Sequence, residues 1–179
     1  MPKVDTKFWL KYLVYVDPTC EPFTIGNNVK ISPFVTIGEP GFGFERTKEG
    51  YTKPLKRRDH PYGVIIGDNI EIGSHSRIHR GRWRNTEIGN GTKIDSGVHI
   101  AHNDIIGENV FIVSGTTIGG SVTIGDECFI GENVCIRQGL KIANNVTIGM
   151  GSVVTKSIEE SDTTWIGNPA RKLYDKQVF

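Results

Sequence analysis

The side chain in this 179-residue chain best suited to chemistry is His102, in the stretch HIAHND at residues 99–104. An imidazole has the unperturbed pKa that suits proton removal near neutrality, so a general base is the natural reading. His99 and His79 are candidates to line the same cleft. Asn103 is a candidate catalytic partner or a turn former. A lone turn histidine is more often solvated than functional; what favours function here is what the rest of the chain places around it.

Basic residues concentrate in two places, Lys53, Lys56, Arg57 and Arg58 in one and Arg77, Arg80, Arg82 and Arg84 in the other. Formal net charge is only +1, which removes the electrostatic case for broad nucleic-acid binding. Local concentration on a nearly neutral chain suits a bound anion, either a nucleotide diphosphate or the phosphates of coenzyme A. Phe42, Phe44, Tyr51 and Trp83 add aromatic surface for a base or sugar. Phe42, Phe44, Arg80, Arg82, Trp83 and Arg84 are therefore the expected acceptor-binding set.

No cysteine or serine stands beside a histidine in a nucleophile arrangement, so a covalent acyl-enzyme is not implied. Three cysteines without C-x-x-C argue against a disulfide framework and a zinc ribbon. No apolar run approaches a membrane span and no charged, apolar and small-residue pattern marks a signal peptide, so a cytoplasmic protein is expected.

The element that must position these groups is periodic. Isoleucine recurs every six residues from Ile88 to Ile148, and valine closes the series at Val154. Six is three times the strand period of two, so every marked residue points to one side of its strand. A second small or branched residue lies two places earlier in each repeat, Cys128 among them; Asp104 is the exception. Gly91, Gly97, Asn103, Asn109, Gly115, Asn133, Asn145 and Gly151 fill corners, as residues that tolerate positive φ. The repeat reads as an all-β solenoid.

Ile25, Ile31 and Ile37 supply a first coil and Ile66, Ile72 and Ile78 a second, giving about six in all. Between the first two, residues 39–63 lose the period; a four-residue excess at 82–85 makes a smaller bulge. Counting by three places Ile37, Ile78, Ile100, Ile118, Ile136 and Val154 on one edge. Both insertions leave from the corner after it, where Glu39, Arg80, His102, Gly120, Gln138 and Lys156 are expected to stack.

The organisation expected is an N-terminal cap over 1–22, the solenoid over 23–158 and a tail over 159–179. The cap would hold a helical face of Val4, Phe8 and Leu10 or Tyr12, then a strand at Val14–Val16. In the tail Pro169 would open a short helix through Lys176.

These repeats resemble the hexapeptide-repeat acyltransferases. The resemblance implies a left-handed parallel β-helix, against the usual crossover rule, and a homotrimer with sites between subunits. HIAHND is similar to a motif in two lipid A enzymes, which acylate the hydroxyl of UDP-N-acetylglucosamine or the amine of a UDP-3-O-acylglucosamine. The second histidine of that motif is their base, a role that carries to His102. GEPGFGF at 38–44, GVIIGDNIEIG at 63–73, IHRG at 78–81 and MGSVVTKSI at 150–158 extend the likeness to the N-acyltransferase.

Departures shift the expectation. His79 stands where that family has aspartate, Ser121 and Gly139 where it has histidines, and its uridine-binding domain and carrier-protein extension find no counterpart. IGNPARKL at 166–173 instead looks like the closing motif of acetyl-CoA-dependent acetyltransferases. The implied cofactor-binding set is Gly119, Gly120, Gln138, Lys156, Gly167, Asn168, Pro169, Ala170 and Arg171, with Gly119 or Gly120 offering an N–H to the oxyanion and room for pantetheine. The three-histidine zinc site of solenoid carbonic anhydrases does not fit the spacing, so no metal is expected. The reading is an acetyl-CoA-dependent N-acetyltransferase for a nucleotide-linked amino sugar. A fatty N-acyltransferase using acyl carrier protein and a non-catalytic binding solenoid are the competitors.

Overall fold

A computed structural model describes residues 13–45 and 55–174. Lys53, Tyr51 and the helical face expected at Val4 to Tyr12 lie outside the described residues.

Short strands alternate with tight corners, and successive turns of the chain stack as parallel ladders in three sheets, one for each face of a prism. Ile78, Ile100, Ile118, Ile136 and Val154 pair in register up the first face, with Ile37 beneath them. The eight corner positions read from Gly91 to Gly151 all adopt positive φ, between 52° and 75°. Ser121 and Glu127 do so as well, without the glycine or asparagine that favours it.

The isoleucines fill the prism, with Ile37, Ile100, Ile118, Ile130, Ile136 and Ile148 almost fully buried. Burying one such side chain contributes roughly 1.5–3 kcal/mol, so stability resides in the inward column. Corner and outward residues are correspondingly free to carry chemistry. Cys128 is buried in that column, as its position implies.

The prism is longer than six coils, with sheets of seven, six and eight strands. Tyr15–Val16 adds a rung beneath Thr36–Pro40 on the first face. At the far end Thr164–Ile166 adds one on the third face. The helix expected from Pro169 is not formed where it should begin. Trp165 and Ile166 pair antiparallel with Lys172 and Arg171, which commits that backbone to a hairpin.

Residues 39–63 leave the first face at Thr36–Pro40 and return on the second at Val64–Ile66. Within them Phe44–Glu45 and Lys56–Arg57 form an antiparallel arm. The smaller bulge leaves Arg77–Arg80 and returns at Thr86–Ile88, across the same corner.

Candidate active site

His102 occupies that corner one coil further on, between His99–Ile100 on the first face and Ile105–Ile106 on the second. The coil count therefore brings both insertions to the histidine. Together they enclose a cavity of about 470 Å³, whose wall includes Phe42, Phe44, His60, Trp83, His102 and Gln138. That volume lies in the range of small-molecule sites.

Asn103 ties the bulge to the histidine. It is fully buried at φ 64°, so it is both turn former and partner. Its Oδ1 accepts from the backbone N–H of Arg82 (2.6 Å) and of Trp83 (3.1 Å). Two N–H donors on one atom identify it as the amide oxygen, and the other end is then the NH₂. That nitrogen donates to His102 Nδ1 at 2.7 Å and to Ser121 Oγ at 3.1 Å. The Asn103 carbonyl accepts from Arg84 Nε at 2.8 Å.

An Nδ1 that accepts a hydrogen bond carries no proton, so neutral His102 is protonated at Nε2. The base expected there needs a bare Nε2. In this arrangement the neutral ring turns an N–H toward the cavity, and the amide of Asn103 sets that orientation.

His60 is the functional candidate that sequence reasoning passed over. It is 4% exposed, and its ring lies 5.2 Å from that of His102, edge to face. His60 Nδ1 is 3.0 Å from the Arg58 carbonyl, which can only accept, so the proton is on Nδ1. Its Nε2 is buried without a partner. A buried histidine immediately before the chain re-enters the prism at Gly63 is the signal that could have found it.

Burial is the main cause that lowers the pKa of both rings. Arg82 pushes the same way on both, while the Arg58 carbonyl opposes it at His60. Both are neutral near pH 7 as a result.

Glycines bring the rings close. A Cβ on Gly120 would lie 2.6 Å from His102 Cε1, and one on Gly41 would lie 2.7 Å from His102 Cδ2 and 2.9 Å from His60 Nε2. The room expected at Gly120 for pantetheine is thus filled by the imidazole itself. Gly119 donates its N–H to the Ile136 carbonyl, which leaves Gly120 as the oxyanion candidate of the two.

The other expected residues divide. The Arg82 guanidinium lies over the Trp83 ring at 4.5 Å, and Trp83 meets the His102 ring edge at 6.2 Å. Phe42 and Phe44 touch edge to face at 5.0 Å on the opposite rim. Arg80 is not brought to the cavity: it donates to the Thr19 carbonyl and hydroxyl near Asp17, securing the first rung. His79 and His99 pair at 4.9 Å on the first face outside the cavity wall. There burial, with His79 and Arg77, pushes His99 down to about 4.

Gln138 also lines a second depression, of about 660 Å³, with Thr117, Gly119, Cys135 and Arg137. Lys156 is exposed beyond it. Gly167 to Arg171 wrap the last coil, where Gly167 donates to Ser152 Oγ and Ala170 to the Val153 carbonyl.

Residues 85–120 match the family described as bacterial transferase hexapeptide (six repeats), and residues 121–156 the hexapeptide repeat of succinyl-transferase. The repeat in these coils is the hexapeptide repeat that both family models describe. A UDP-3-O-acylglucosamine N-acyltransferase of Methylorubrum populi is 46% identical over 86 residues, which are 48% of this chain and 23% of that protein. Its counterpart in Chlamydia pneumoniae is 43% identical over 79 residues, 44% of this chain and 21% of that one. The likeness thus spans less than a quarter of either relative. Among solved structures, a UDP-N-acetylglucosamine acyltransferase from Campylobacter jejuni superposes with TM-score 0.72 at 23% identity, over 90% of this chain and 65% of that one. One from Francisella novicida gives 0.70 at 21%, over 90% and 66%. At such identities the hexapeptide-repeat likeness is one of fold, the left-handed parallel β-helix.

Proposed function

We propose that this hexapeptide-repeat protein transfers an acetyl group from acetyl-CoA to the amine of a nucleotide-linked amino sugar, directly, in a ternary complex. The observation that carries the reading is the cavity where two insertions and two neutral histidines meet, rimmed by Phe42, Phe44, Trp83 and Arg82. Aromatic faces beside a guanidinium suit a base or sugar linked to a diphosphate. The resemblance to the N-acyltransferases in the matched coils favours an amine acceptor. Acetyl-CoA would lie along the depression of Thr117, Gly119, Arg137 and Gln138, which meets the cavity at Gln138. Its phosphates would point toward Lys156 and Arg171.

The assembly belongs to the same proposal. Phe111 and Phe129 are 53% and 45% exposed and stack at 6.4 Å on the third face, flanked by Val113 and by the charged Lys30, Glu71 and Lys93. An exposed aromatic pair on a flat face suits burial against further copies of the chain, and the assembly proposed is a homotrimer.

The test is a screen of UDP-, dTDP- and GDP-amino sugars with acetyl-CoA, read as thiol release. Release with one amino sugar and none with its hydroxyl analogue is expected. Activity only with acyl carrier protein thioesters would replace the donor, and no release with any acceptor or donor would favour a binding solenoid.

A further inference from the structure

We propose that Asp104 is a positioning residue: its carboxyl O–H donates to the Gly119 carbonyl and so turns the Gly120 N–H toward the thioester oxygen. This rests on the acyl-transfer reading above and adds to it a residue beneath the site.

The register of the prism carries the argument. Asp104 holds a buried inward place two residues before Ile106, the place that Ser76, Thr92, Thr116 and Cys128 hold in other repeats. The three hydroxyls accept from the backbone N–H one coil on, of Val98, Val110 and Val134 respectively. They also donate to the carbonyl of the residue after a marker isoleucine: Ser76 to Asp95, Thr92 to Gly107 and Thr116 to Gly131. The Cys128 thiol does the same to Ala143. Asp104 reproduces the first half, with Oδ1 accepting from the Val122 N–H at 2.8 Å. In the second half the carbonyl is that of Gly119, after Ile118.

Oδ2 is buried without a partner, and no described residue donates to the Gly119 carbonyl. An ionised carboxyl can only accept, so it would leave two buried acceptors unpaired. A proton on Oδ2 pairs both at once. Burial favours that neutral acid and outweighs the N–H groups of Val122, Ala101 and Ser121 and the Arg84 guanidinium, which favour the anion.

A trans peptide points its C=O and N–H to opposite sides. With the Gly119 carbonyl held inward, the Gly120 N–H faces outward, where Gly120 lines the cavity against His102. That N–H has no partner among the described residues. A free donor aimed before reaction is what a developing oxyanion requires. Two successive glycines are conformationally permissive, so the aim depends on the anchor beneath them.

Three variants and one spectrum decide the proposal. Asp104→Asn and Asp104→Thr keep both a donor and an acceptor, and kcat within about threefold of normal is expected for each. Asp104→Val keeps neither, although the inward column already accommodates valine at Val98 and Val110. It is expected to lower kcat about tenfold or more, with the acceptor KM within about threefold. The unaltered protein is expected to lose kcat at alkaline pH as Asp104 ionises, and Asp104→Asn to lack that limb. In ¹³C-labelled protein the Asp104 Cγ shift is expected to report the protonated acid near neutral pH. An ionised Asp104 there, a folded Asp104→Val within about threefold of normal kcat, or the same pH profile in Asp104→Asn as in the unaltered protein would overturn it. Should the unaltered protein release no thiol from any acceptor, the acyl-transfer reading falls, and the carbon shift still decides where the proton is.

Discussion

The imidazole of His102 occupies the space that Gly120 leaves vacant, within 3.0 Å of where three of its ring atoms would meet a Cβ. Backbone φ at Gly120 is not positive, so alanine is conformationally tolerated there and its methyl group acts on the ring alone. Gly120→Ala is expected to lower kcat by about 100-fold or more, with a melting temperature within a few degrees of normal. Steady-state kinetics and a thermal melt on the same preparation check it.

Removing the ring altogether gives a companion expectation. His102→Ala is expected to lower kcat by roughly two or more orders of magnitude, because the imidazole at the centre of the proposed site is lost. A variant with near-normal turnover would place the reaction elsewhere.

Asn103→Ala tests the buried amide. It orphans the N–H groups of Arg82 and Trp83 and forces alanine into φ 64°. A loss of roughly 2–5 kcal/mol is expected, read from urea unfolding.

Asp104 yields a stability prediction with a definite sign. Its Oδ1 accepts from the Val122 N–H while Oδ2 is buried without a partner, and burial pushes its pKa well above the ordinary value. A folded pKa above the unfolded one stabilises fully below the unfolded value near 3.9 and loses that contribution as pH rises. The carboxyl therefore weakens the fold at neutral pH. Asp104→Asn, which keeps the acceptor and cannot ionise, is expected to raise Tm at pH 7.5, with the gain vanishing toward pH 4. Each kcal/mol recovered appears as roughly 2–4 °C at this chain length.

The proposed trimer depends on the stacked pair Phe111 and Phe129. Light scattering is expected to give a trimer at micromolar concentration, and Phe129→Glu a monomer. A monomer from the unaltered protein would remove the shared-subunit arrangement.

The solenoid was legible because a six-residue period has one physical solution, and the corner shared by His102 and both insertions followed by counting. His60 was not, since nothing periodic fixes residues 39–63; its place depends on the Arg58 carbonyl and the fit at Gly41. Arg80 is named correctly for its corner but its charge serves Thr19 and Asp17, a first-rung contact that no spacing announces. The tail misled for a related reason: proline fits a helix start, yet the open ladder edge at Thr147–Ile148 recruits Thr164–Ile166 and the hairpin behind it.

One carboxamide, that of Asn103, holds the bulge by its oxygen and the imidazole by its nitrogen. The shape of the bulge and the orientation of the His102 ring are consequently a single heritable trait. A lineage that lengthens or shortens residues 82–85 must re-seat that amide in the same step, or release the imidazole it holds.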